Sequence, residues 1–91
     1  MLEREIEKKV TDYAKNKNFL AYKFTSPSNK SVPDRLFISP TGNIFFVEFK
    51  RKGKLPTKLQ NYTINNMLSR GVKVSIIDNC DKGKLLIDEY A

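Results

Sequence analysis

The spacing of hydrophobic positions predicts two amphipathic helices. Residues 3–17 place Ile6, Val10 and Ala14 at helical intervals, with charged residues on the other faces. A second helix is predicted over residues 58–69. Thr57 is its expected N-cap and Gln60, three positions later, completes a capping box. Gly71 follows as a stop signal, so both ends of this helix are marked in the sequence.

Short apolar and aromatic runs predict four strands of one sheet. They cover residues 19–24, 36–39, 44–50 and 72–77, and residues 40–43 have the composition of a hairpin turn. Residues 81–90 suit either a short helix or an edge strand. The order α-β-β-β-α-β predicts one α/β domain over residues 1–91, in which helices flank a mixed β-sheet. A helix joins the third and fourth strands, which favours a parallel pair there.

Length and composition exclude several classes of protein. A chain of 91 residues suits one domain, and no apolar run approaches the ~20 residues of a membrane span. The charged first ten residues lack the apolar stretch of a signal peptide, so we expect a cytoplasmic protein of a prokaryote or of a virus-infected host cell. Cys80 is the one cysteine and histidine is absent, which excludes disulfide frameworks, histidine-based catalysis and Cys- or His-ligated zinc. Any metal must be a hard ion held by carboxylates, which points to Mg²⁺ or Mn²⁺.

The charge distribution indicates both a partner and a site. Seventeen Lys and Arg residues against ten acids give a net charge of +7. A small basic domain usually binds a polyanion, most often nucleic acid, although a basic surface kept for solubility is the alternative. Between Tyr13 and Ile77 there are twelve Lys or Arg residues and two acids, Asp34 and Glu48. These two carboxylates are therefore the first candidates for a metal site.

Asp34 begins the second predicted strand, and Glu48 and Lys50 end the third. If a hairpin joins these strands, the two carboxylates are neighbours, and Glu48 and Lys50 point to the same face of the sheet. The carboxylates could hold a divalent ion, with the Phe49 backbone carbonyl beside Glu48 as a further ligand. Lys50 could orient a water or offset charge that grows on a phosphate. A cross-strand salt bridge at a strand end is the simpler alternative.

Other polar residues have both a structural and a functional interpretation. Glu7 flanks the apolar stripe of the first helix and could be a third carboxylate, or it could favour the helix N-terminus electrostatically. Gln60 could cap its helix, or it could bind a water or phosphate beside the metal. The expected phosphate contacts are mainly in the basic loop after the third strand, where a solvated loop is the alternative. These candidates are Arg51, Lys52, Lys54 and Lys58, with weaker support for Lys23, Lys30 and Arg35.

Two of these segments carry a family pattern. Pro33-Asp34, followed fourteen positions later by Glu48-Phe49-Lys50, is the PD-(D/E)xK pattern of restriction-endonuclease-like nucleases. The surrounding sequence resembles the VRR-NUC family, most closely its short stand-alone, virus-type members. The resemblance extends from Glu7 to Ile77 and rests on KFTSPSNKSVPDRLFISPTGNIFFVEFK, on LQ at 59–60 and on RGVKV at 70–74.

The resemblance implies a restriction-endonuclease-like fold and a Mg²⁺- or Mn²⁺-dependent DNA endonuclease. Asp34 and Glu48 match the family's metal-binding acids, Lys50 its catalytic lysine, Glu7 its first-helix glutamate and Gln60 its second-helix glutamine. Stand-alone members are similar to Holliday junction resolvases, which implies a homodimer. This chain departs from the family at Ser31, where glycine is usual, and a positive φ at Ser31 would strain the loop.

We therefore expect a structure-selective endonuclease that resembles Holliday junction resolvases and acts on branched or four-way DNA. No segment resembles a base-reading element, which favours recognition of shape over sequence. A non-specific or nicking PD-(D/E)xK nuclease is one alternative, and a catalytically silent DNA-binding module is another. The intact set of Asp34, Glu48 and Lys50 argues against the silent module, because a pure binder gains nothing from acids in a basic groove.

Overall fold

Three helices and four strands make up the computed structural model, which describes residues 1–91. In chain order they are α1 (Glu3–Asn16), β1 (Leu20–Lys23), β2 (Arg35–Ile38), β3 (Ile44–Phe49), α2 (Lys58–Ser69), β4 (Val74–Ile77) and α3 (Cys80–Tyr90). The predicted order is confirmed over the first six elements, and each boundary lies within two residues of its prediction.

The strands form one mixed sheet in the order β1-β2-β3-β4. The first three strands are antiparallel neighbours, and β3 pairs in parallel with β4 through the register Phe46–Val74. The helix α2 makes the crossover between the parallel strands, as such a connection requires. The predicted mixed sheet with a parallel closing pair is therefore confirmed.

One face of the sheet carries the core. Phe37, Phe45, Val47 and Phe49 alternate along β2 and β3 with residues of the other face, and each is at most 1% exposed. They pack against the apolar stripe of α1 and against α3, in one cluster that includes Ile6, Val10 and Ile87. This packing fixes the start of α1 beside the ends of the strands.

The C-terminal segment, which the sequence left open between helix and strand, is the helix α3. Asn79 caps it, because its Oδ1 accepts the Lys82 amide at 2.8 Å. Gly83 lies inside this helix and faces Val10 of α1, where a β-carbon would overlap the valine methyl group. A glycine at that position therefore permits close packing of the two helices. No helix of the structure has both the length and the hydropathy needed to cross a bilayer.

The opposite face of the sheet is open over three strands. The helix α2 packs against β4 and contacts this face of β3 at one end, where Gln60 meets Glu48. Leu20, Tyr22 and Ile44 are more than half exposed there, and Ile76 of β4 is 42% exposed. The register aligns Leu20 with Ile38 and Ile38 with Ile44, so these side chains form a continuous apolar surface.

The loop before β2 does not carry the strain considered for Ser31. Asn18, not Ser31, is the one non-glycine residue with a positive φ. The buried Ser31 hydroxyl instead contacts the side chains of Asn29 and Thr63, the second of which lies on α2. Serine at this position ties the loop to α2, which a glycine could not do.

Candidate active site

The antiparallel register of β2 and β3 brings the two predicted carboxylates together. Arg35 pairs with Val47, so Asp34, one residue before, lies opposite Glu48, one residue after. The Phe49 amide donates a hydrogen bond to Asp34 Oδ2 at 2.8 Å, which anchors Asp34 to the end of β3. The neighbouring positions inferred from the hairpin are thus present in the fold.

Glu48 is the centre of a buried polar cluster. The residue is 2% exposed, and its Oε2 lies 3.3 Å from the Lys50 Nζ and 3.1 Å from the Gln60 Nε2. Lys50 is itself only 6% exposed. The other carboxylate oxygen, Glu48 Oε1, is buried and has no hydrogen-bond partner within the chain. An unpaired buried oxygen is costly, and a carboxylate oxygen of this kind has the chemistry of a cation ligand.

The electrostatics of the pair also favour a cation. Burial and the nearby Asp34 carboxylate raise the pKa of Glu48 to about 7, against the opposing effect of Lys50. Burial also raises the pKa of Asp34, and the charges of Glu7 and Glu3 add to this effect. Two carboxylates that repel each other in a partly desolvated site bind protons more tightly than free carboxylates do, and a positive ion would relieve the same repulsion.

Glu7 is placed differently from the sequence-based expectation. Its Oε2 accepts hydrogen bonds from the Arg35 Nε at 2.7 Å and from the Lys23 Nζ at 3.1 Å. No group of three acids or thiols has the arrangement of a metal site, although the charge of Glu7 acts on Asp34 by raising its pKa. Its role as a third ligand remains a prediction.

Glu3 is an acid that sequence reasoning did not place near the site. Its charge contributes to the raised pKa of both Asp34 and Glu48. Glu3 lies one helical turn before Glu7 on α1, so an i, i+4 pair of acids beside the apolar stripe was the available signal. Because acids at this spacing also favour a helix N-terminus electrostatically, the spacing alone does not place Glu3 at the site.

The predicted phosphate contacts fall into two groups. Arg51, Lys52, Lys54 and Lys58 are all exposed, in and beside the loop that follows β3. Lys30 is exposed too, and it lines a cavity together with Asp34. Arg35 differs, because its side chain is 18% exposed and its Nε is bonded to Glu7. Lys30 therefore lies beside Asp34, and the loop that carries the other exposed cations directly follows Lys50 in the chain.

Oxygen donors define what the site could bind. Asp34, Glu48 and the backbone at Phe49 offer hard ligands, and the residues near them include no histidine or thiol. Such a donor set suits Mg²⁺ or Mn²⁺. The unpaired Glu48 Oε1 fits this interpretation.

Comparisons with known proteins agree with this site. No family model matches the sequence. A protein of Acyrthosiphon pisum secondary endosymbiont phage 1, named "Putative nuclease p44", is 37% identical over 84 residues, which cover 92% of this chain and 90% of the phage protein. A solved structure described as a VRR_NUC domain matches with a TM-score of 0.88 and 26% identity, over 98% of this chain and 97% of that one.

These similarities extend over nearly the whole chain and include the segments that carry the PD-(D/E)xK residues. The sheet order and helix positions are those of the restriction-endonuclease-like fold. The expected family and fold are both confirmed, and the chain belongs to the VRR-NUC family of nucleases.

Proposed function

We propose that this nuclease is a DNA endonuclease that depends on Mg²⁺ or Mn²⁺ and is selective for branched structures. The observation that carries this proposal is the pairing of Asp34 with Glu48 beside the buried Lys50. Asp34, Glu48 and the Phe49 carbonyl are the proposed metal ligands. A bound Mg²⁺ or Mn²⁺ lowers the pKa of a coordinated water and polarises a phosphate oxygen.

The protein residues around the carboxylates have separate tasks in this proposal. Asp34 and Glu48 supply negative charge, and Gln60 holds the Glu48 carboxylate from the first turn of α2. Lys50 places its ammonium group within 3.3 Å of Glu48, where it can orient the attacking water or stabilise charge on the phosphate. No histidine base is required, which agrees with its absence from the sequence.

The exposed cations supply affinity for the DNA backbone. We assign phosphate contacts to five exposed cations, of which one shares a cavity with Asp34 and four lie in and beside the loop after β3: Lys30, Arg51, Lys52, Lys54 and Lys58. Contacts to phosphates carry no sequence information directly. Recognition therefore follows the shape of the DNA, which suits a branched substrate.

The open sheet face supports a homodimer. Leu20, Tyr22 and Ile44 form an exposed apolar surface without a charged residue among them, which is typical of a protein interface. A second copy that covers this face through a two-fold axis gives two active sites in one particle. Two sites related by symmetry can cut two strands of a four-way junction at symmetric positions. The substitution Ile44→Lys should dissociate this dimer in sedimentation experiments, while exposed Leu85→Lys on α3 should not.

The experiment that tests the proposed function compares two labelled substrates, a four-way junction and a linear duplex of matching sequence. Each is incubated with Mg²⁺, Mn²⁺ or EDTA, with the wild type, with Asp34→Ala and with Asp81→Ala as a control on exposed α3. Paired symmetric cuts in the junction that need the metal and Asp34 support the proposal. Equal cutting of both substrates would contradict the proposed selectivity for branched DNA. Tight binding without cleavage would indicate a catalytically silent DNA-binding module.

A further inference from the structure

A wholly polar cleft lies between α1 and the ends of β1 and β2. No apolar residue lines it. Five of its residues are cations, against the two acids Glu7 and Asp12, so the cleft carries an excess of three positive charges. The cations are Arg4, Lys8, Lys15, Lys23 and Arg35.

The cations that the acids do not neutralise remain available for a ligand. Lys8 pairs with Asp12 at 2.7 Å, whereas Arg4 and Lys15 have no ion-pair partner. The Arg35 guanidinium bonds to Glu7 through Nε alone. Its two terminal amino groups are the part of the side chain that binds a phosphate in a bidentate manner.

A second observation points to a ligand in the same cleft. Thr11 also lines the cleft, the residue is 4% exposed, and its hydroxyl has no hydrogen-bond partner. A buried hydroxyl without a partner is destabilising. A ligand with oxygen acceptors would satisfy both this donor and the free cations.

The cleft adjoins the carboxylates of the site. Lys23 lines this cleft and also lines the neighbouring cavity that contains Asp34 and Lys30. At the other end of the cleft, Arg4 also lines a cavity with Arg51 and Lys54 of the basic loop. A DNA strand that touches the loop and the carboxylates therefore reaches this cleft as well.

We propose that this cleft is a second phosphate-binding site, which holds a backbone phosphate next to the one that is cut. Glu7 is the positioning residue of this site, because it fixes Lys23 and Arg35. The inference rests on the proposed function, since it takes DNA as the substrate. Binding of one phosphate in this cleft determines which phosphodiester bond of the strand lies at Asp34 and Glu48.

The first test measures DNA binding in EDTA, where no cleavage occurs. Arg35→Lys keeps the charge and the ion pair but removes the two terminal amino groups that bind a phosphate in a bidentate manner. Arg4→Gln removes a cation that has no ion-pair partner. Each should weaken binding about tenfold, as expected for one charge-assisted hydrogen bond. Lys9→Gln is the matched control, since Lys9 is an exposed cation of α1 outside the cleft.

The second test locates the phosphate. A strand is scanned with neutral methylphosphonate groups near the cut position. One substitution should weaken binding of the wild type about tenfold and should have little effect on Arg35→Lys, because the two changes remove the same contact. An equal penalty at every position in both proteins would overturn the inference.

The role of Glu7 is tested with Glu7→Gln, which retains the side-chain shape. If Glu7 is a positioning residue, the variant should bind DNA more weakly in EDTA and should need the same half-saturating Mn²⁺ concentration for cleavage. If Glu7 is a metal ligand, the half-saturating Mn²⁺ concentration should rise and DNA binding in EDTA should not weaken. Removal of a negative charge would by itself tighten DNA binding, so weaker binding distinguishes positioning from a simple charge effect.

Failure of this inference is distinct from failure of the proposed function. If the wild type neither binds nor cuts DNA, the proposed function fails. If the wild type binds and cuts DNA while the cleft variants behave like Lys9→Gln, the second phosphate site alone is contradicted.

Discussion

Gln60 donates a hydrogen bond to Glu48 Oε2 at 3.1 Å, and its Oε1 accepts the Thr57 amide at 2.9 Å. One side chain therefore completes the capping box of α2 and orients the carboxylate at the end of β3. The predicted cap is confirmed, whereas the predicted binding of a water or phosphate by Gln60 stays a prediction. The start of α2 is thereby coupled to the geometry of the site.

The first prediction separates the two contacts of Gln60. Thr57→Ala removes the cap and should lower the free energy of unfolding by about 1 kcal/mol, with little effect on cleavage at saturating protein. Gln60→Ala removes the cap interaction and the Glu48 contact, so it should also slow cleavage. Urea unfolding and single-turnover rates provide the two readouts. Equal losses of rate in both variants would show that Gln60 acts through helix stability alone.

The second prediction concerns Lys50. Lys50→Met should slow cleavage about 10²–10³-fold at saturating protein, the usual loss when one group that stabilises transition-state charge is removed. Lys52→Met, an exposed cation of the adjoining loop, should weaken DNA binding and reduce its salt dependence with a nearly unchanged saturated rate. Single-turnover rates and binding curves test both. If both variants changed the cleavage rate and DNA binding in the same way, the proposed role of Lys50 in the cleavage step would be contradicted.

The third prediction concerns stability against pH in EDTA. The pKa of Glu48 is raised from 4.5 to about 7, so the folded protein binds a proton more tightly than the unfolded chain. The contribution of protonated Glu48 to the free energy of unfolding is therefore fully present below about pH 4.5, and it is lost as the pH rises through 7. Wild type should lose stability relative to Glu48→Gln between pH 5 and pH 8. Parallel unfolding profiles of the two proteins over this interval would contradict the raised pKa.

The same pair of proteins tests the metal site. At pH 8, Mn²⁺ should raise the unfolding temperature of the wild type more than that of Glu48→Gln, because a ligand stabilises the state that binds it. The difference should shrink at pH 5, where protons compete for the carboxylates.

The fourth prediction concerns the contact between α1 and α3. Gly83→Ala should destabilise the protein by about 1–3 kcal/mol through overlap with buried Val10, although alanine is the better helix former. Val10→Ala combined with Gly83→Ala should recover part of the loss. Thermal unfolding of the single and double variants measures this coupling. A more stable Gly83→Ala would show that the helices separate without cost.

Local patterns were sufficient for most of the fold. The alternation in β3 placed Glu48 and Lys50 on one face, and the capping signals at Thr57 and Gly71 fixed the limits of α2. The tail was ambiguous because Gly83 interrupts its helical pattern. That glycine is explained by Val10, a contact between residues far apart in the chain.

The site was predictable where it depends on neighbouring strands and not where it depends on tertiary ion pairs. The hairpin argument brought Asp34 to Glu48. The pairing of Glu7 with Arg35 joins α1 to β2 across 28 positions, and no local spacing indicates it. Sequence reasoning therefore assigned Glu7 to a metal and Arg35 to DNA, without a signal that the two side chains meet.

The most direct test of the account is the single-turnover rate of junction cleavage in Mn²⁺ by wild type and by Asp34→Asn. Both proteins are compared at equal DNA occupancy and after their unfolding temperatures have been shown to agree. We expect a loss of at least about 10²-fold in the variant, because one of the two proposed carboxylate ligands of the metal is removed. A rate within twofold of the wild type would contradict the assignment of Asp34 and Glu48 as the catalytic centre.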